Sequence, residues 1–201
     1  MLWILVIFPL LGMTIIIVIA VLLGKRDRKR EAEKLEAKKK DMLETNPKQA
    51  VLQYLDENRH ISEYTFIDLE LGKAKVDVLY ISRKGIFLIY ALKNEGTISG
   101  EVDQENWLNK THDEYLLKNP MYNNKRDIEI ISNVTTLRTN IYSLTVCTKA
   151  EEINIVNNEE YQVVKLNELK ETLDRYPDVI TENDLVIFYN NIVNAVDQEE
   201  E

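Results

Sequence analysis

The chain has 201 residues, with 25 Lys and Arg against 34 Asp and Glu, a formal charge of −9, and 45% apolar residues. That apolar fraction excludes disorder throughout. The single cysteine, Cys147, excludes a disulfide-stapled fold, and with only His60 and His112 a structural zinc site has no ligand set.

Residues 2–23 carry no charged side chain. At the helical rise, 22 residues span roughly 33 Å, enough for a hydrocarbon core of about 30 Å. Pro9 and Gly12 are tolerated in membrane helices, and Trp3 suits an interface. A cleaved signal peptide fits less well, because no basic stretch precedes the run and no A-x-A-like site follows it. The expectation is one transmembrane helix at 1–23. Lys25, Arg26, Arg28, Lys29 and Arg30 follow it directly, so the positive-inside rule places the C-terminal side in the cytoplasm. The basic residues 25–30 also attract anionic lipid.

Residues 24–44 hold nine basic and six acidic side chains among strong helix formers, without a/d heptads. They read as a charged juxtamembrane helical linker. A domain is expected over 45–197, followed by an acidic tail at 198–201. Residues 45–201 carry 16 basic and 28 acidic residues, a net −12, which disfavours a tightly held nucleic acid.

Within the domain, Asn46-Pro47 is a helix start, with helix to about Asn58. Strands follow at Tyr64–Leu69 and Lys75–Ile81, joined by a turn at Gly72-Lys73. After Arg83-Lys84-Gly85 comes Ile86–Leu92, apolar enough for a central strand buried on both faces. A short strand is expected at Thr97–Val102, a helix from Asn119-Pro120 to about Leu137, and strands at Ile141–Cys147 and Gln162–Leu166. Helices at Asn167–Arg175 and Glu182–Val196, the latter capped by Thr181, complete the pattern. The order points to an α/β (α+β) fold in three layers with a central mixed sheet.

One ordered set of residues resembles a known family. It comprises Val76-Asp77, Gly85-Ile86-Phe87-Leu88-Ile89, the run Lys93-Asn94-Glu95-Gly96-Thr97-Ile98-Ser99-Gly100, Trp107, and Asn119-Pro120-Met121-Tyr122-Asn123-Asn124. Over roughly residues 46–140 this is similar to the NERD, or nuclease-related, domain of the PD-(D/E)XK nuclease-like superfamily. The resemblance implies a restriction-endonuclease-like core, a bacterial source, and metal-dependent phosphodiester cleavage with Asp77 and Lys93 as catalytic residues. Two carboxylates on neighbouring strands would hold Mg²⁺ or Mn²⁺, the metal would activate a water, and the lysine would support the developing charge. Gly85, Asn94, Gly96, Gly100, Trp107, Asn119 and Pro120 would be structural. Trp107 reads as a core residue and Asn119-Pro120 as a helix cap.

The acidic motif is degenerate. Two residues before Lys93 stands Ala91, and alignment from Phe87 puts Tyr90 there instead. A bulge would absorb the one extra residue this chain has between Phe87 and Lys93. The family glutamate of the first helix falls near Lys48 or Gln49, and the glutamine of the Asn-Pro helix falls at Asn123. Of the metal ligands only Asp77 remains. Two readings follow. In one, Asp77 and Lys93 form a salt bridge and the domain is a binding or scaffold module at the membrane face with an unidentified protein partner and no cofactor. In the other, Glu70, Glu95, Glu101 or Asp103 supplies a migrated acid and the protein is an Mg²⁺- or Mn²⁺-dependent nuclease.

Overall fold

The computed structural model describes residues 46–58, 63–122, 124–137 and 140–199. The expected transmembrane helix at 1–23, the linker at 24–44 and Asn123 lie outside the described residues. Among the described residues no helix is long and apolar enough to cross a membrane.

The elements are α1 (Pro47–Asn58), β1 (Tyr64–Leu71), β2 (Ala74–Ser82), β3 (Gly85–Glu101), β4 (Asn106–Lys110), β5 (Glu114–Lys118), α2 (Asn124–Thr135), β6 (Ile141–Val156), β7 (Tyr161–Lys165), a 3₁₀ turn at Leu166–Glu168, α3 (Leu169–Asp174) and α4 (Glu182–Glu199). β1, β2 and β3 form an antiparallel meander, while β6 runs parallel to both β3 and β7. The sheet is therefore mixed. β2 pairs with β3 over Gly85–Ile89 and β4 pairs with it over Thr97–Ser99, so the two occupy one edge of β3 in succession.

Period-two alternation assigns the faces of β3. Phe87 and Ile89 join Val78, Leu144 and Val146 beneath Val51 and Leu55 of α1 and Leu169 and Leu173 of α3. Ile86 and Leu88 join Leu79 and Ile81 beneath Ile131 of α2 and Leu185, Phe188 and Ile192 of α4. Helices thus cover both faces, and the three-layer expectation holds. Thr181 caps α4 by accepting the Asp184 N–H at 3.2 Å.

Three expectations need correction. Ile86–Leu92 and Thr97–Val102 are parts of one strand, because β6 lies along its whole length and supplies hydrogen-bond partners beyond Leu92. The register slips by one residue on β3 between Leu92 and Glu95, then on β6 between Gly96 and Thr97, so the two irregularities cancel. The β4–β5 hairpin was not expected at all. Finally, α2 begins at Asn124, not at Asn119-Pro120. Asn119 makes a turn of its own: its Oδ1 accepts the Met121 N–H at 2.9 Å, and its Nδ2 donates to the carbonyls of Val102 and Gln104 at 2.9 and 2.7 Å. The side chain ties the segments after β3 and β5 together instead of capping a helix.

Candidate functional site

Asp77 lies on β2 where β2 and β3 part, since their pairing runs only as far as Val78 opposite Ile89. Its carboxylate substitutes for the missing ladder: Oδ2 accepts the Ala91 N–H at 2.9 Å. Oδ1 forms an ion pair with Lys48 Nζ at 2.9 Å.

Lys48 stands in the first turn of α1. Asn46 fixes that turn by accepting the N–H groups of Lys48 and Gln49 on its Oδ1, at 3.1 and 3.4 Å. The Lys48 ammonium also pairs with Asp68 of β1. Asp68 has φ +50°, a left-handed conformation that Asp adopts more readily than most residues. It stands directly across from Asp77, because Ile67 faces Val78 and Leu69 faces Val76. Hydrogen bonding to Asp68 first, and then to Asp77, holds the Lys48 pKa above its ordinary 10.5. The site is thus two opposed carboxylates with one tethered cation between them.

Neither residue expected at the second-acid position brings a carboxylate. Ala91 contributes its backbone N–H to Asp77. Tyr90 donates its hydroxyl to Asp127 Oδ2 of α2 at 3.0 Å, and burial followed by the Asp127 charge pushes the phenol far up. Burial also raises Asp127, against the opposing bonds from Tyr90 and Arg126.

The other predicted residues are dispersed. Lys93 is exposed and sits at the β3 bulge, and no ion pair among the described residues joins it to Asp77. The bulge therefore falls at Lys93-Asn94, and the stretch from Phe87 to Leu92, where it was expected, is regular. Glu70 pairs with Lys75 at 2.8 Å, and Glu95 with Lys149 at 3.7 Å. Glu101 and Asp103 lie at the end of β3 and line a separate cavity. Among the described residues no cluster of three or more His, Cys, Asp or Glu forms a metal cage.

The glycine-rich run and Trp107 build the β3–β4 crossing. Gly96 has φ +82°, and a Cβ there would overlap the Lys110 carbonyl oxygen. A Cβ on Gly100 would meet Trp107 Cδ1 at 2.7 Å. The indole is fully buried and donates to the Glu101 carbonyl at 2.8 Å. Asn94 donates to the Tyr115 hydroxyl of β5 at 3.2 Å. Gly85 closes the β2–β3 turn, where a Cβ would meet the Asn140 carbonyl at 2.6 Å.

Asp68 was missed, although one signal was available. A two-residue turn at Gly72-Lys73 sets Leu71 against Ala74, and counting back along both strands puts Asp68 opposite Asp77. Lys48 was seen only as the place of a lost glutamate.

Helix, three antiparallel strands, helix and parallel strand, with an acid where β2 and β3 diverge, make a mixed α+β domain that fits a nuclease-like core. Residues 43–148, more than half of the chain, match the family model of the nuclease-related domain, NERD, and the chain belongs to that family. No curated protein and no solved structure matches it.

Proposed function

We propose that the protein is a membrane-anchored, nuclease-fold module in which binding has replaced hydrolysis, with a protein partner at the cytoplasmic membrane face. The observation that carries this reading is Lys48, whose ammonium lies between Asp68 and Asp77. A divalent ion shared by those carboxylates must displace a cation tethered to the same fold. Mg²⁺ gives up its waters reluctantly, and two carboxylates are a modest inducement. The uncharged stretch 2–23 and the basic residues behind it support the anchor.

The test is a nuclease assay and a thermal melt of the purified full-length chain in detergent, with millimolar Mg²⁺ or Mn²⁺. The expected result is no cleavage of plasmid, single-stranded DNA or RNA, and no metal-induced rise in melting temperature. Metal-dependent cleavage abolished by Asp77→Ala would overturn it. Anchoring is tested separately, by retention in membranes after alkaline carbonate extraction.

Asp68 favours a second reading. With Lys48 swung away, Asp68 and Asp77 would hold Mg²⁺ or Mn²⁺ and Lys93 would support the developing phosphorane charge. Loss of cleavage on Asp68→Asn identifies that case.

A further inference from the structure

The last helix, α4, has two faces of different character. Leu185, Phe188 and Ile192 are buried against the sheet, and Tyr189 stacks on Tyr64 and Phe66 of β1 with ring centroids 4.4 and 5.3 Å apart. Those contacts fix the rotation of the helix and turn Val186, Ile187, Asn190 and Asn194 outwards. A surface helix ordinarily carries charge on its outer face. Here no charged residue stands between Asp184 and Asp197, and Val186 and Ile187 are 46% and 51% exposed. Two ridges cross on this face. Val186, Asn190 and Asn194 follow one another at a spacing of four, and Ile187, Asn190 and Val193 at a spacing of three. Asn190 belongs to both.

The charge pattern selects what covers the face. Residues 45–201 carry 16 basic and 28 acidic residues, so two copies of the domain repel each other and meet most readily where neither bears charge. A residue on a two-fold axis faces itself, which disfavours a charged one. An amide carries both a donor and an acceptor and pairs with its own copy, as a buried Asn does at a coiled-coil seam. A basic partner finds no carboxylate between Asp184 and Asp197. A lipid surface is served by helices with Lys or Arg beside the apolar strip, and the 18 residues of α4 include neither.

We propose that the outer face of α4 is an isologous interface between two copies of this chain, with Asn190 on the two-fold axis. The helices run antiparallel and cross at about 50°, ridge into groove. Val186 of each protomer then lies against Asn194 of the other. The crossing confines contact to the central turns, so Asp184 and Asp197 at the two ends diverge. The interface lies beyond residue 148, outside the stretch that matches the family.

This inference goes beyond the proposed function and does not depend on it, because the experiment reads neither cleavage nor metal. Light scattering of the full-length chain in detergent should give two copies of the 23.5 kDa chain. Val186→Glu should weaken the dimer by about 30-fold, the scale of a central interface residue. Adding Asn194→Lys to it should restore the dimer, since each new carboxylate then faces an ammonium across the axis. Both positions are solvent-accessible, and an unchanged melting curve verifies each variant. Asn190→Cys should form a disulfide-linked dimer under mild oxidation, while Glu171→Cys, on the exposed side of α3, should not. The native Cys147 is buried and adds no background. A dimer that survives Val186→Glu, a double variant that stays monomeric, or equal cross-linking at both cysteine positions overturns the proposal. So does a monomeric wild type, and protection of Asn190→Cys from maleimide only in lipid bilayers would then assign the face to lipid.

Discussion

Lys48 and Asp127 are the charged residues whose surroundings most alter their behaviour near Asp77. The raised Lys48 pKa means that the folded state holds the proton more tightly than the unfolded chain. The stabilisation is therefore complete below about pH 10.5 and is lost as pH climbs through the higher folded-state value. Lys48→Met should cost about 0.5–1 kcal/mol at neutral pH, a figure kept small because the pair is partly solvated. That deficit should narrow above pH 10.5, as read by denaturant unfolding across an alkaline pH series. Asp127 has the opposite sign. Burial raises its folded pKa, so the wild type loses stability as pH rises from the ordinary 3.8 towards that value. Asp127→Asn keeps an oxygen for the Tyr90 hydroxyl and removes the buried charge. It should gain about 1 kcal/mol at neutral pH. The gain should shrink below pH 3.8, seen as converging melting temperatures in acid. Asp77 was picked out in the sequence by its place in the ordered set of residues that resembles the family. Its partner was not, because an ion pair between α1 and β2 depends on how a helix lies across a sheet.

Among the elements, the β4–β5 hairpin is held by backbone proximity more than by apolar area. Gly96 lies against Lys110 in a left-handed conformation, so Gly96→Ala brings both a strained φ and an overlap. It should cost about 2–4 kcal/mol, the range of severe single substitutions. Amide exchange should rise first in Asn106–Lys118. Asn119→Ala removes three hydrogen bonds from a buried side chain and strands the carbonyls of Val102 and Gln104. A loss of about 2–4 kcal/mol is expected, measured by urea denaturation. Much of the element order was readable, since α1, β1 and β2 carry a clear cap, period and turn. The hairpin was hidden for a physical reason. Its strands have five residues each, and β4 buries only Trp107 and Asn109, so neither gives a period long enough to recognise. The length of β3 was hidden because hydrogen bonding to a distant β6, not local propensity, keeps it extended past its bulge.

For the molecule as a whole, fold and chemistry are separable. The core needs only the apolar faces of the sheet, and these are intact however the polar site is furnished. Residues 45–201 carry a net −12, so the domain draws cations in general, and Lys48 supplies one from within the chain. Reversing that one charge tests whether the surrounding fold still has the shape of a metal site. Lys48→Glu brings a third carboxylate beside Asp68 and Asp77 and leaves their repulsion uncompensated. Without metal the variant should melt below wild type. A divalent ion that binds only the folded state stabilises it by RT ln(1 + [L]/Kd), about 2.7 kcal/mol at a hundredfold excess over Kd. Added Mn²⁺ should therefore raise the melting temperature of Lys48→Glu by several degrees, on the scale of about 2–4 °C per kcal/mol for a domain of this size. Wild type should not respond. An equal rise in wild type would mean that the ammonium is no barrier to metal, and a flat response in both would mean that the strands hold the carboxylates too far apart to share an ion.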